Sequence, residues 1–153
     1  MRVIYSRNIL GAKEAFIMEK KMFDFDKEFK LDIEQVDREH VILVDMLNDV
    51  YSLIGAGKRD EARSYFNETL SAYVNEHFSN EEKFMESFQY PGLEEHRKIH
   101  ENFKKSFNDM KPLIESYDDV SFRRALSDAF TWIIAHIGKT DRKYASFYIA
   151  KMN

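Results

Sequence analysis

Residues 77–100 read HFSNEEKFMESFQYPGLEEHRKIH, and this stretch decides the fold. Before the YPG at 90–92, His77, Glu81, Phe84 and Phe88 recur at helical spacing. After it, His96, His100, Phe103 and Phe107 do the same. The YPG breaks the first pattern and allows only a short connection, so two helices must return antiparallel. Residues four apart in a helix are offset by about 40° and rise about 6 Å. His77 therefore shares a face with Glu81, and His96 shares one with His100.

Working outward, the same period marks two more helices. One is expected over 36–54, with Val36, His40, Val44, Leu47, Tyr51 and Ile54 on its stripe and GAG at 55–57 as its stop. The helix carrying His77 is expected over 60–88. The one carrying His96 begins near Leu93, and Pro112 is expected to end or kink it. The last starts after the Asp118–Asp119 cap signal and shows Phe122, Leu126, Ala129, Trp132 and His136. Short connections predict an all-α fold, an up-down-up-down antiparallel four-helix bundle. Residues 22–35 read as an extended N-terminal arm with Phe23, Phe25 and Phe29, and DRKYASFYIAKM at the end as a polar–aromatic tail. Residues 1–21 have no clean period. They read as an N-terminal extension, or a misassigned start, in preference to a docking helix.

Composition narrows the function. The chain has 153 residues, one domain by length, with 44% hydrophobic and 33% charged residues. It has no cysteine, which removes disulfides, thiolate zinc sites, iron–sulfur clusters and cysteine nucleophiles, and fits a reducing, cytoplasmic setting. A net charge of −4 with both signs interspersed leaves no footprint for nucleic acid or an anionic membrane surface. No apolar run reaches the roughly 18 residues of a membrane span. The start lacks the continuous apolar segment of a secretory signal.

All five histidines lie on apolar stripes. Alone, His40 reads as a core imidazole with one hydrogen bond, and His96 with His100 fits a surface metal clip equally well. Together with Glu81 they would each need a buried partner, and nothing basic on those stripes supplies one. A metal centre satisfies them at once. One zinc takes about four ligands, so this set suits two ions. A second carboxylate is then needed, and Asp141 is the candidate. Five residues of regular helix turn about 500°, leaving Asp141 roughly 140° from His136. A local departure from α geometry is therefore expected between them, and Gly138 is placed to ease it. Nitrogen-rich ligation with carboxylates suits iron. The carboxylate-rich oxidase pattern needs Glu-x-x-His motifs, which are absent; the nearest, Asp37 before His40, reads as a helix N-cap.

These residues are similar to a known family. VDREH (36–40), HFSNEEKFM (77–85), YPGLEEHRKIHENF (90–103) and WIIAHIGKTDRKY (132–144) resemble the bacterial hemerythrins, single-domain non-haem diiron proteins that bind oxygen. The resemblance runs from about residue 22 to 153 and implies a hemerythrin-like domain there. It implies two iron ions cycling between Fe2+ and Fe3+. His96, His100 and His136 would hold a coordinatively full iron, and His40 and His77 one with an open position. Glu81 and Asp141 would bridge them with an oxo or hydroxo group. Dioxygen would bind reversibly at the open position. An apolar pocket is expected from Val44, Leu47 and Trp132, of which Trp132 also reads as ordinary core packing. Tyr144 is placed to support Asp141, and reads equally as plain packing. Glu39 stands where many relatives carry glutamine and is expected to face solvent.

Three functions fit. The first is reversible oxygen binding for storage, delivery or sensing, without catalysis. The second is a diiron enzyme reducing peroxide or nitric oxide, for which Tyr51 and Tyr73 are the candidate proton donors. The third is a metal-dependent interaction module. No obvious acid lies on the pocket stripes beyond the ligands, which favours the carrier.

Overall fold

The computed structural model describes residues 21–116 and 118–153. The expected extension over 1–21 lies, apart from Lys21, outside the described residues. The elements are α1 (Phe25–Glu28), α2 (Glu34–Gly55), α3 (Arg59–Ser87), α4 (Leu93–Glu115), α5 (Asp119–Ala135), a π-helical turn (His136–Asp141) and α6 (Arg142–Met152). Helices α2 to α5 make the up-down-up-down bundle, each packing on the next. No strand occurs among the described residues.

Two helices end in the same way. After α2, Gly57 takes a positive φ of 76° while the Lys58 amide donates to Leu53 O at 2.8 Å. After α3, Gln89 takes a positive φ of 57° while the Tyr90 amide donates to Met85 O at 3.0 Å. Both are left-handed caps that satisfy a last-turn carbonyl, and only the second forces a side-chain-bearing residue into that region. Gly92 then admits the Tyr90 ring, which a Cβ would meet at 2.7 Å. The start of α5 follows the cap signal, since the Asp118 side chain accepts from the Val120 amide at 3.0 Å.

A large apolar cluster fills one part of the bundle, with Leu47, Phe66, Leu70, Phe122 and Ala129 buried. Each full burial of a large apolar side chain contributes roughly 1.5–3 kcal/mol. A smaller cluster, with Leu31, Ile33, Met85, Phe88 and Tyr144, closes another.

Several expectations are corrected. The arm is partly helical: Asp24 caps α1, accepting from the Lys27 amide, and Glu28 accepts from the Asp24 amide at 2.8 Å. Asn48 clasps the arm, accepting from the Phe23 amide at 2.9 Å and donating to its carbonyl at 3.1 Å. Asp37 is not an N-cap. It lies inside α2, and its carboxylate accepts from the Leu31 amide at 2.8 Å. Helix α4 runs through Pro112 to Glu115, because a proline in the last turn removes few helical bonds. The expected tail is helix α6. It buries Tyr144 and Ala145, and Lys151 donates to Phe88 O at 2.7 Å beyond the end of α3. Tyr51 is half exposed, because Met46 and Val50 take the inner face of α2.

Candidate metal centre

His40, His77, Glu81, His96, His100, His136 and Asp141 converge in one buried layer, none more than 4% exposed. Helix α2 supplies His40, α3 supplies His77 and Glu81, and α4 supplies His96 and His100. His136 and Asp141 open and close the π-helical turn. Its hydrogen bonds step five residues instead of four, which brings two side chains five apart onto one face. The His136 Nε2 and Asp141 Oδ1 atoms are 3.0 Å apart as a result. Gly138 is not what permits this, since its φ is not positive and a Cβ there meets nothing within 4 Å.

The oxygens of each carboxylate divide between two sets of imidazoles. Glu81 Oε1 lies 3.0 Å from His96 Nε2 and 3.3 Å from His100 Nε2. Its Oε2 lies 3.2 Å from His40 Nε2 and 3.1 Å from His77 Nε2. Asp141 Oδ1 lies 3.1 Å from His96 Nε2, and its Oδ2 lies 3.1 Å from His40 Nε2. Two overlapping donor groups result: His96, His100 and His136, and separately His40 and His77, each with both carboxylates.

This donor set fits metal ions. His100 Nε2 lies 3.1 Å from both His96 Nε2 and His136 Nε2, so three nitrogens converge where protons cannot satisfy all of them. Such separations are those of neighbouring ligands around an ion with bonds of about 2.1 Å. Both Asp141 oxygens and His77 Nε2 lack a partner with hydrogen-bond geometry, although all are buried.

Electrostatics agree. Burial alone would lower the histidine pKa values, but Glu81 and Asp141 outweigh it and raise those of His40, His77, His96 and His136. His77 is pushed up to about 10 and His96 to about 9. Burial would raise both carboxylates, yet the imidazoles hold Glu81 and Asp141 well below the usual range. The Tyr144 hydroxyl is buried beside the carboxylates, and burial with the nearby Glu81 and Asp141 raises its pKa far above the ordinary value. Its ring stands edge-on to His96 at 5.6 Å.

Two carboxylates that touch the cluster escaped the sequence reading. Glu39 does not simply face solvent. Its Oε2 lies 2.6 Å from His77 Nδ1, and its Oε1 accepts from Asn80 at 2.8 Å. Glu82 Oε1 lies 2.8 Å from His100 Nδ1, with Arg97 at 3.7 Å on its other side. Both directly neighbour a ligand position in sequence, which puts them about 100° round the helix, toward the next helix. That adjacency was the available signal. Carboxylates on the far imidazole nitrogen fix ring orientation and raise ligand basicity.

A cavity of about 10 Å³ abuts His77 and His136. Its other walls include Leu43, Phe78, Phe103 and Trp132. Of the three residues expected to wall an oxygen pocket, Trp132 lines this cavity. Val44 and Leu47 are buried in the large cluster and do not line it, because Leu43 takes the face of α2 turned toward it. Phe78 stacks on His100 at 3.8 Å, and Trp132 stacks on His136 at 4.3 Å. Tyr73 also lines the cavity, but its hydroxyl donates to Glu39 O at 3.0 Å. No helix of the described residues is long and apolar enough to cross a membrane.

Residues 31–148 match the family model described as the hemerythrin HHE cation binding domain. A bacteriohemerythrin of Clostridium acetobutylicum is 32% identical over 128 residues, covering 80% of this chain and 98% of its own length. A myohemerythrin of Theromyzon tessulatum is 28% identical over 122 residues, covering 80% of this chain and 90% of its own length. Hemerythrin subunit 1 of Golfingia vulgaris is 28% identical over 120 residues, covering 78% and 88% respectively.

Proposed function

The chain belongs to the hemerythrin family, and from that premise we propose that it binds dioxygen reversibly at a non-haem diiron centre. His96, His100 and His136 would hold one iron and His40 and His77 the other, with Glu81 and Asp141 placed to serve both. An oxo or hydroxo group from solvent would complete the centre, and dioxygen would bind at the iron with fewer histidines. Residues 22–153 form the functional domain, since Phe23 and Phe29 of the arm already pack with the bundle. The observation that carries this reading is the division of each carboxylate's two oxygens between the two histidine sets.

When bound, the irons supply the electrons that make dioxygen uptake and release reversible. The protein's part is to orient, enclose and stay dry. Neutral imidazoles add no negative charge, so two carboxylates and one bridge leave the centre cationic. Phe78 and Trp132 hold His100 and His136 by stacking. The cavity beside His77 is small and walled mainly by apolar side chains, which keeps water and acids from the open position. Tyr73 is the phenol on its wall, and its proton is directed away, to the Glu39 carbonyl. The other candidate donor, Tyr51, is half exposed on α2. A reductive enzyme needs a proton donor at the open position, so these placements support the carrier over peroxide or nitric oxide reduction.

The test is optical. The protein is loaded with iron, reduced without oxygen, exposed to oxygen and then degassed. A visible charge-transfer band that appears with oxygen and vanishes on degassing is the expected result. Direct conversion to an oxidised form with no persistent adduct would overturn reversible binding in favour of reductive chemistry.

A further inference from the structure

The centre is closed on nearly every side, so metal must reach it somewhere. The apolar cavity is a poor path. At about 10 Å³ and flanked by Phe78, Phe103 and Trp132, it has too few polar groups to replace the water shell of a dication. Glu82 touches His100 from outside, but Arg97 covers it with a positive charge.

The α2–α3 face differs. A solvent-open groove of about 410 Å³ runs between these helices, and Glu39, His77, Asn80, Glu81 and Lys83 are among its walls. His77 and Glu81 belong to the centre itself. Glu39 links them to water: its side chain is 27% exposed, its Oε2 touches His77 Nδ1, and its Oε1 holds Asn80. Of its two carboxylates Glu39 is the one that reaches water, so an arriving ion meets Glu39 first. The Glu39 carboxylate can replace one water of a hydrated divalent ion before the imidazoles behind it replace the rest.

We propose that this groove is the route by which divalent metal enters and leaves the centre, with the Glu39 carboxylate as its first ligand. An arriving ion binds Glu39 in exchange for part of its water shell. The exchange frees Asn80 and loosens His77, and the ion passes to Glu81 and the His77 imidazole. The inference rests on the diiron reading above and adds the path by which that centre fills.

The test compares the full-length chain with Glu39→Gln and Glu82→Gln. Iron is extracted from the loaded protein with a chelator, and cobalt(II), whose visible bands report ligation, is then added. Glu39→Gln is expected to slow both extraction and loading by about tenfold or more, the scale of electrostatic steering. Glu82→Gln, which removes the matching bond to His100, is expected to slow them far less. Glu39→Asp, one methylene shorter, should fall between. Equal rates for Glu39→Gln and wild type overturn the route. Equal slowing in Glu39→Gln and Glu82→Gln also overturns it, because ring positioning would then explain both. The equilibrium stoichiometry of the wild-type chain judges the diiron reading separately. Two ions per chain with no rate difference sinks the route alone. Fewer than two sinks the diiron reading, while the rate ratio still judges the route.

Discussion

Phe66 and His77 lie about three turns apart on α3, and both are buried. Phe66 needs nothing from its surroundings beyond shape, and the apolar cluster around it gains from burial at any metal or proton concentration. His77 loses hydration in the same way, but it must then be matched by Glu39, by Glu81 and by whatever fills the space between the imidazoles. One part of the bundle is therefore stable by composition alone. The layer of imidazoles and carboxylates is expected to depend on metal and proton concentration.

The largest expected break in that contrast is metal removal. Each ion should contribute about 4 kcal/mol at a thousandfold excess over its Kd, so chelated protein should unfold at a clearly lower temperature than loaded protein. Identical melting curves would mean the layer needs no metal. The next is Phe66→Ala, expected to cost about 3–5 kcal/mol through the cavity it leaves. The loss should be the same with and without iron, since Phe66 lies outside the ligand layer. A loss that depends on iron would show that the two regions are one cooperative unit.

Proton concentration sharpens the comparison further. In the metal-free chain His77 and His96 are raised from 6.5 to about 10 and about 9, so their stabilisation is complete below 6.5 and disappears as pH rises through those values. Glu81 and Asp141 are depressed from 4.5 and 3.8, so their stabilisation is present above those values and disappears as pH falls below them. Metal-free protein should therefore be most stable between about pH 4.5 and 6.5, read from urea midpoints across that range and above it. Loaded protein should not share the alkaline loss, because metal-bound imidazoles are already neutral. Acid should instead release the metal. A metal-free chain with no alkaline decline would contradict the imidazole–carboxylate pairing.

The smallest effect is at the end of α3. Gln89→Gly should stabilise by about 1 kcal/mol in both forms, because Gln89 occupies the left-handed position that Gly57 fills after α2. An unchanged urea midpoint would show that the Gln89 side chain offsets the strain.

Much of this could be read before any coordinates. Helical period placed His40, His77, Glu81, His96, His100 and His136 on inward faces, and the mismatch between five residues and a regular turn required the irregular segment before Asp141. Both follow from the chain's own geometry, which repeats whatever the neighbours do. Elsewhere the outcome depended on packing. Glu39 sits on the flank of α2, and its bond to His77 exists only once α3 lies at that rotation and height. Leu43 displaced Val44 and Leu47 from the cavity wall for the same reason. The final segment became helix α6 because Phe147 and Tyr148 found Phe88 to pack against, a contact made across the fold that its own sequence does not show. The sequence by itself determined which imidazoles and carboxylates face inward and share a helix face, since those depend on spacing along one helix. Only the tertiary structure decided which flanking carboxylates touch the centre, which side of it is dry and which is open to water, because those depend on how two helices turn toward each other.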